Sequence, residues 1–245
     1  MKHFDDVAPL YDDIRETEIW PSLLRTMVQL DVACGLILDV ATGTGLYGVR
    51  LAEHGYHVIG VDSNRHMLAQ ALLKARRRKC DFRGLLGSAE QIPVAEGSIR
   101  TMMSTNAIHH FDLPAHVREV IRILQPGGCY VVFTRFQEQN KRSLWGQMFP
   151  GFAAKENRLY HPHDFEQVGR DFPELVLEAV EELAFENRFC AERLLEVVRC
   201  RKYSTFAFYN DSEFRRACDV FRVRLAEWRE DHYTAEIGKV VFRRQ

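Results

Sequence analysis

A glycine-rich turn near residue 40 combines residue types that suit the binding of a nucleotide-like ligand. It reads Asp39-Val-Ala-Thr-Gly-Thr-Gly45, between a short apolar run and a helical pattern. Such a strand-to-helix turn is expected to present bare backbone N–H groups and the positive end of a helix to a ligand. The spacing Gly43-x-Gly45-x-x-Gly48 also satisfies the dinucleotide fingerprint, and Asp62 follows Gly43 by 19 residues, as the ribose-binding acid would. The turn alone does not identify the cofactor.

Asp39 favours a ligand other than a dinucleotide. A charged residue near the end of a buried strand is unfavourable unless it has a functional role. The turn of a dinucleotide-binding site usually follows an apolar strand end directly. The carboxylate placed four positions before the Gly-x-Gly therefore tips the balance away from NAD.

Two adjacent histidines, His109 and His110, are placed for acid–base chemistry directly after a predicted strand. If the reaction removes a proton, an imidazole near the reacting atom serves as general base. Packing beneath a ligand is the alternative role for both. A second pair, His161 and His163, has no third ligand in the pattern, so we predict no metal site there. This second stretch instead predicts a helix start capped by His163 or Asp164.

Short apolar runs alternate with helical patterns over residues 36–134, which predicts βαβ units and a parallel sheet. The predicted strands cover 36–40, 57–62, 82–86, 102–105 and 129–134. The predicted helices cover 46–54, a segment with Met67, Leu68, Ala71, Leu72 and Ala75 on one face, and a segment opened by Pro114 with Val117, Val120, Ile121 and Leu124 on one face.

The pattern changes after Arg135 to a polar stretch that carries scattered aromatic residues as far as about Tyr160. A helix near 164–168 and a strand within 175–189 follow. Helical patterns at 191–201 and 212–228 then precede a final strand near 237–242. We expect these two helices to form an insertion before the last strand.

The set of segments resembles the class I S-adenosylmethionine (SAM)-dependent methyltransferases. The turn is similar to their first motif, D-x-G-x-G-x-G, with Ala41 where the family usually has glycine. Similar segments occur in the family's order at 4–15 (F-D-x-x-A-x-x-Y-D-x-x-R), 60–67 (second motif), 87–93 (G-D-A-E-x-L-P), 106–111 (after strand four) and 124–128 (L-x-P-G-G). An ordered set is far more specific than one motif. The small-molecule enzymes similar to those of ubiquinone and menaquinone biosynthesis are the type it resembles.

The resemblance implies both the fold and the cofactor site. The fold is α/β, a Rossmann-like doubly wound sheet of seven mostly parallel strands with the last antiparallel, plus a helical lid insertion. Asp62 would accept hydrogen bonds from both ribose hydroxyls, and Ser88 replaces an acid beside the adenine. The residues implied to bind SAM are Tyr11, Arg15, Asp39, Ala41, Gly43, Thr44, Gly45, Asp62, Ser63, Met67, Ser88, Ala89, Glu90 and Asn106.

The resemblance also implies a transferase that moves the methyl group of SAM to an O, N, S or C atom of a small metabolite. An NAD(P)-dependent oxidoreductase is one alternative, and a non-catalytic SAM-binding adaptor is another. We expect the acceptor to be anionic or aromatic and to contact Tyr160, Arg199, Arg201 and Tyr203, near other aromatic residues. Ordinary amphipathic helices with solvated arginines explain the last three residues equally well.

Composition bounds the remaining partners and the domain plan. A formal net charge of -1 argues against a nucleic-acid or anionic membrane partner, and no apolar stretch is long enough to span a membrane. Six scattered cysteines without paired spacing indicate a reduced, cytoplasmic protein. We expect a monomer or homodimer with one domain over 1–245. Residues 1–135 would form the SAM half and about 136–235 the acceptor half, with lid helices within 191–229.

Overall fold

The computed structural model describes residues 19–32 and 36–245, in which strands and helices alternate along the chain. The first part contains α1 (Trp20–Gln29), β1 (Leu36–Val40), α2 (Gly48–Glu53), β2 (His57–Asp62), α3 (Arg65–Arg78), β3 (Phe82–Leu86), β4 (Ile99–Thr105), a 3-10 turn (Ile108–His110), α4 (Leu113–Ile123) and β5 (Leu124–Thr134). The second part contains α5 (Gln137–Arg142), α6 (Leu144–Met148), α7 (Phe152–Lys155), α8 (Pro162–Asp171), β6 (Leu175–Arg188), α9 (Ala191–Arg199), a 3-10 turn (Ser204–Phe208), α10 (Asp211–Glu227) and β7 (His232–Arg244).

The strands form a seven-stranded sheet in the order β3-β2-β1-β4-β5-β7-β6. The first five strands pair in parallel, and β7 pairs antiparallel with both β5 and β6. This arrangement confirms the predicted fold class. The strand order reverses direction between β1 and β4, and such a switch point leaves a crevice at the carboxyl ends of the strands.

Alternating side chains along the central strands supply two separate hydrophobic cores. Leu38 and Val40 of β1 belong to one cluster, whereas Ile37 belongs to the other. β5 follows the same rule, with Tyr130 on the first side and Val131 on the second. Successive residues of a strand point to opposite faces, so both faces of a sheet covered by helices must be apolar.

The helical segments differ from the sequence prediction in identifiable ways. Leu72 of α3 is 38% exposed, whereas the polar His116 of α4 is fully buried. His116 is buried because its two ring nitrogens have partners, the carbonyl of Ala89 and the hydroxyl of Tyr130, each at 2.8 Å. The N-cap of α8 is His161 rather than His163 or Asp164, and the Asp164 carboxylate accepts the His161 N–H at 2.7 Å.

A third cluster, the aromatic lid, is built from α6, α7, α9, α10 and the 3-10 turn of 204–208. Trp145 lies at its centre and stacks on Phe221 with ring centroids 5.2 Å apart. Phe149 and Phe206 pack beside it and are fully buried. The helices predicted as an insertion between β6 and β7 are therefore held by a core of their own.

A glycine of β7 allows the chain to leave β5 and enter the lid. The ring of Phe136 covers Gly238 so closely that an added Cβ would lie 2.2 Å from the ring Cζ. Phe136 is 1% exposed and directly precedes α5, whose Gln139 side chain accepts the Phe136 N–H at 2.9 Å. The position of α5 therefore depends on the absence of a side chain at residue 238.

Gly238→Ala should lower the free energy of unfolding by about 1–3 kcal/mol, because the ring of Phe136 would have to move out of a packed site. Urea unfolding measures this change. Gly169→Ala in α8 is the matched control, since an added Cβ there meets nothing closer than 3.5 Å and alanine favours a helix. Gly169→Ala should keep or raise the stability, and a Gly238→Ala variant as stable as the wild type would contradict the packing described for Phe136.

Candidate functional site

A cavity of about 470 Å³ lies at the carboxyl ends of β1, β2 and β4. The glycine turn and Asp62 line one part, while lid residues such as Phe152, Val197 and Tyr203 line another. The crevice predicted at the switch point of the sheet is therefore a continuous space bounded by both the sheet and the aromatic lid.

The glycine turn is organised around the carboxylate of Asp62. The backbone N–H of Gly43 donates to Asp62 Oδ2 at 2.7 Å, and the N–H of Gly45 donates to the Thr42 carbonyl at 2.9 Å. The expectation of bare N–H groups is thus wrong for both glycines, because the turn uses these donors internally. What the turn offers to the cavity is a carboxylate held in one orientation.

Asp62 retains the capacity to accept further hydrogen bonds. Its Oδ1 accepts the Asn64 N–H at 2.8 Å, so each carboxylate oxygen has one protein donor. Each oxygen of a carboxylate can accept two hydrogen bonds. Burial raises the pKa of Asp62 above its usual value, against the opposing effect of the Asn64 and Gly43 hydrogen bonds. This geometry suits a ligand that brings two neighbouring hydroxyl groups.

Asp39 is 3% exposed at the end of β1 and also lines the cavity. Its Oδ2 accepts the hydroxyl of Thr42 at 2.6 Å. The same oxygen would lie 2.6 Å from a Cβ at Gly48, the first residue of α2, so only glycine fits there. A carboxylate thus lies at the helix start where a dinucleotide would place its pyrophosphate, and the two negative charges would repel each other.

Ala41 lies in a conformation that favours glycine. Its φ is +56°, within the left-handed region, which costs a residue with a Cβ roughly 1–2 kcal/mol. The family motif usually has glycine here, and the backbone shows why. The turn keeps its shape with alanine because the Asp62 hydrogen bond to Gly43 holds it.

The cavity contains most of the residues that the sequence implied for the cofactor. These are Asp39, Ala41, Gly43, Thr44, Asp62, Ser63, Met67, Ser88, Ala89, Glu90 and Asn106. Gly45 does not line the cavity. An added Cβ there would lie 2.7 Å from Val49 Cγ2 and 2.9 Å from Ala71 Cβ, so this glycine permits the packing of α2 against α3. Tyr11 and Arg15 lie outside the described residues.

His109 and His110 both line the cavity, after β4, as expected. Burial away from water lowers the pKa of His109 to about 3, and the neighbouring His110 makes a smaller contribution in the same direction. The ring Nδ1 of His109 is buried and has no hydrogen-bond partner among the described residues. Desolvation within the cleft lowers the pKa of His110 to about 4, and the positive charge of the Arg158 guanidinium makes a smaller contribution in the same direction.

The contact with Arg158 fixes the tautomer of His110. Arg158 Nη1 lies 3.2 Å from His110 Nδ1, and a guanidinium can only donate hydrogen bonds. The Nδ1 of His110 must therefore be the unprotonated acceptor, which leaves the proton of the neutral ring on Nε2. His110 is then a hydrogen-bond donor through Nε2 and lacks a free basic nitrogen.

A buried carboxylate, Glu156, organises the lid side of the cavity. It is 3% exposed and accepts hydrogen bonds from Arg158 at 2.5 and 2.8 Å and from the Thr205 hydroxyl at 2.6 Å. Arg158 also donates to the Ser204 hydroxyl at 2.9 Å. Burial alone would raise the pKa of Glu156, but the Arg158 and Thr205 hydrogen bonds outweigh it and lower the pKa.

The Glu156 network was absent from the sequence prediction. The only signal was an acid and a base two residues apart in a segment without helical pattern, where alternate side chains share a side. Of the predicted acceptor contacts, Tyr203 lines the cavity but Tyr160, Arg199 and Arg201 do not. This is a correction of the prediction.

Tyr160 and Arg201 contact other protein groups outside the cavity, and Arg199 faces solvent. Arg201 pairs with Asp211 at 3.1 Å and lies over the Phe214 ring at 4.0 Å. Tyr160 packs on Phe165 with ring centroids 5.7 Å apart, and Arg199 is exposed at the end of α9. Basic residues that line the cavity instead are Arg135 and Lys202, neither of which was assigned to the acceptor from the sequence.

The part of the chain that the structure describes contains neither a metal-binding cluster nor a membrane-spanning helix. Within residues 19–32 and 36–245, no group of three or more His, Cys, Asp or Glu side chains is placed to hold a metal ion. Over the same ranges, no helix has the length and apolar character needed to cross a membrane.

Comparison with known proteins decides the family. A sequence profile described as "Methyltransferase domain" matches residues 37–128. An uncharacterized methyltransferase of Mycobacterium bovis is 36% identical over 179 residues, covering 71% of this chain and 67% of the relative. The chain belongs to the class I SAM-dependent methyltransferases. It is an enzyme of this family, which uses SAM as its methyl donor.

More distant comparisons agree with the fold of this methyltransferase. A demethylmenaquinone methyltransferase of Thermus thermophilus is 33% identical over 137 residues, which cover 53% of this chain and 62% of the relative. The crystal structure of the [4+2]-cyclase SpnF covers 99% of this chain and 94% of its own, with a TM-score of 0.67 and 17% identity. Geranyl diphosphate C-methyltransferase from Streptomyces coelicolor, in complex with S-adenosyl-L-homocysteine, covers 91% of this chain and 76% of its own, with a TM-score of 0.56 and 16% identity.

Ala41→Gly should stabilise this methyltransferase by about 1 kcal/mol, because glycine removes the strain of a positive φ. Urea unfolding provides the measurement. Ala69→Gly, on the exposed side of α3, makes the same exchange in a helix and should lower the stability by about 1 kcal/mol. If both variants lose stability to the same extent, residue 41 is not strained.

The free energy of unfolding should decrease as the pH falls from about 6.5 towards 3. In this range His109 binds a proton in the unfolded chain but stays neutral in the folded protein, where it is buried. The sign follows from a folded-state pKa of about 3, below the ordinary value of 6.5. His109→Asn should reduce this slope by at most about 1.4 kcal/mol per pH unit, the limit for one proton. Urea unfolding at several pH values tests this, with the substitution His66→Asn at an exposed position of α3 as control. An unchanged slope in His109→Asn would contradict the low pKa.

Proposed function

We propose that this chain transfers the methyl group of SAM to a small molecule bound between the sheet and the aromatic lid. The single observation that carries the proposal is the continuous cavity, which joins Asp62 to His109, His110 and Tyr203. A cofactor held by the turn would be separated from water by the lid residues. An acceptor beside the histidines would lie within the same space.

The residues around the turn fit SAM. Asp62, with one free acceptor position on each oxygen, suits the two ribose hydroxyls. Ser88, Ala89 and Glu90 line the cavity beyond β3 and would face the adenine. Asp39 offers a negative charge near the end of β1, which suits the cationic sulfonium or the amino group of SAM and disfavours a pyrophosphate.

Bound SAM supplies an activated methyl group on a positively charged sulfur. The protein then has to align the acceptor and exclude water, a contribution that can reach about 7–11 kcal/mol in well-oriented reactions. Phe152 and Tyr203 supply apolar walls for this purpose. His110 lines the same space and would lie beside the acceptor.

Neither histidine is suited to take a proton from a neutral hydroxyl at neutral pH. An efficient general base has a pKa near the working pH, whereas burial lowers the pKa of His109 to about 3 and that of His110 to about 4. We therefore assign positioning roles to both. The acceptor atom would be one that already has an available electron pair, such as a carboxylate, thiolate or activated carbon.

We also propose a division of the chain that follows the cavity. Residues 1–135 would hold SAM, and residues 136–235 would hold the acceptor, together forming one methyltransferase domain. The support is the position of the lining residues, since the turn and Asn106 lie in the first part whereas Glu156 and Tyr203 lie in the second.

Asp62→Asn should weaken binding of S-adenosylhomocysteine by about 10- to 100-fold, because an amide lacks the charge and accepts hydrogen bonds through only one oxygen. Isothermal titration calorimetry measures the dissociation constant. Asp219→Asn, at an exposed position of α10, controls for the loss of one negative charge. A separate titration with NAD(P) tests whether the wild-type site accepts a dinucleotide.

Wild-type protein should bind S-adenosylhomocysteine and should not bind NAD(P). Circular dichroism of Asp62→Asn should show intact secondary structure, so that weaker binding reports on the site. Binding of S-adenosylhomocysteine that is equally strong in wild type and Asp62→Asn would overturn the assignment of Asp62. Failure of the wild type to bind it at all would overturn the proposed function.

A further inference from the structure

Arg135, at the boundary between the part of the chain assigned to SAM and the part assigned to the acceptor, brings a positive charge to the cavity. It follows β5 directly, is partly buried and lines the cavity. No carboxylate among the described residues forms an ion pair with it, and no described hydrogen bond uses its guanidinium. Its guanidinium has five donors and no acceptor among the described residues, so these donors are available to a ligand in the cavity.

Arg158, next to the lining residue Glu156, is an arginine whose donors have protein acceptors. Its guanidinium donates to Glu156, to Ser204 and to His110. Its charge is balanced by the Glu156 carboxylate at 2.5 Å. Arg158 therefore maintains the lid, whereas Arg135 retains its donors for a ligand.

Asn140 adds a second unused donor from the element that follows Arg135. It lies on α5, is 1% exposed and lines the cavity. Its side-chain Nδ2 is buried without a hydrogen-bond partner in the described part of the chain. An unpaired buried amide costs about 1–3 kcal/mol, so a ligand oxygen that accepts from it regains this energy.

The remaining charges in this part of the cavity do not oppose an anion. Glu156 is the lining carboxylate on the lid side, and Arg158 neutralises it. Lys202 is a further lining cation, 7% exposed. Asp39, Asp62 and Glu90 lie instead in the part that we assign to SAM.

We infer that the methyl acceptor is an anionic small molecule whose carboxylate is bound by Arg135 and Asn140. This inference rests on the proposed function and specifies its acceptor site. The Arg135 guanidinium would donate two parallel hydrogen bonds to the carboxylate, and Asn140 Nδ2 would donate to one of the same oxygens. The positive charge of Arg135 would hold the carboxylate at the end of β5.

Matched ligand pairs test this inference without knowledge of the natural acceptor. The protein, saturated with S-adenosylhomocysteine, is titrated by calorimetry with benzoate, phenylacetate and hexanoate, and with the corresponding primary amides. At least one carboxylate should bind about tenfold more tightly than its amide, the difference expected for one charge-assisted pair. Arg135→Gln should abolish this preference, and Arg135→Lys should retain part of it.

Arg199→Gln is the matched control, because Arg199 is exposed at the end of α9 and does not line the cavity. It should keep the full preference for carboxylates. All variants should bind S-adenosylhomocysteine as the wild type does, which shows that they fold and separates this test from that of the proposed function.

Three results would overturn the inference. One is that no carboxylate of the set binds in the millimolar range, and another is that amides bind as tightly as carboxylates. The third is a full preference in Arg135→Gln. In each case intact binding of S-adenosylhomocysteine would leave the methyltransferase assignment standing.

Discussion

The hydrogen bond from the Gly43 amide to the Asp62 carboxylate is the contact on which the site depends. It joins the turn after β1 to the end of β2 and so fixes the spacing of two neighbouring strand ends. The left-handed conformations of Ala41 and Gly43 direct the chain to make this contact. The same bond leaves one acceptor position on that oxygen, so one interaction both builds the turn and orients the carboxylate that we propose to bind the cofactor.

The sequence predicted the parallel half of the fold well because each signal was local. Short apolar runs marked the bounds of β1, β2 and β3, and Asp39 and Asp62 were recognisable as charges at strand ends. The lid was harder. The helices α5, α6 and α7 have six, five and four residues, too few for a helical period to be visible.

The acceptor side was predicted less well because it depends on contacts between distant residues. Arg201 belonged to a suggestive run of basic and aromatic residues, yet Asp211 and Phe214 occupy it. Glu156 meets Thr205, which is 49 residues away, and composition cannot reveal such a pairing. Arg135 was visible only as the boundary where the pattern changed, although its place after β5 puts it at the ligand-binding edge.

The side-chain amide of Asn140, which has no hydrogen-bond partner among the described residues, affects which ligands the cavity can exclude. A buried donor without a partner penalises every ligand that covers it with a methyl or methylene group. Sites of this kind reject close analogues that lack the matching oxygen far more strongly than apolar pockets reject a larger or smaller chain. Selectivity in this enzyme would then come from the exclusion of ligands that lack an oxygen to accept the Asn140 hydrogen bond. The aromatic lid could contact many flat molecules, but only those with such an oxygen would bind well.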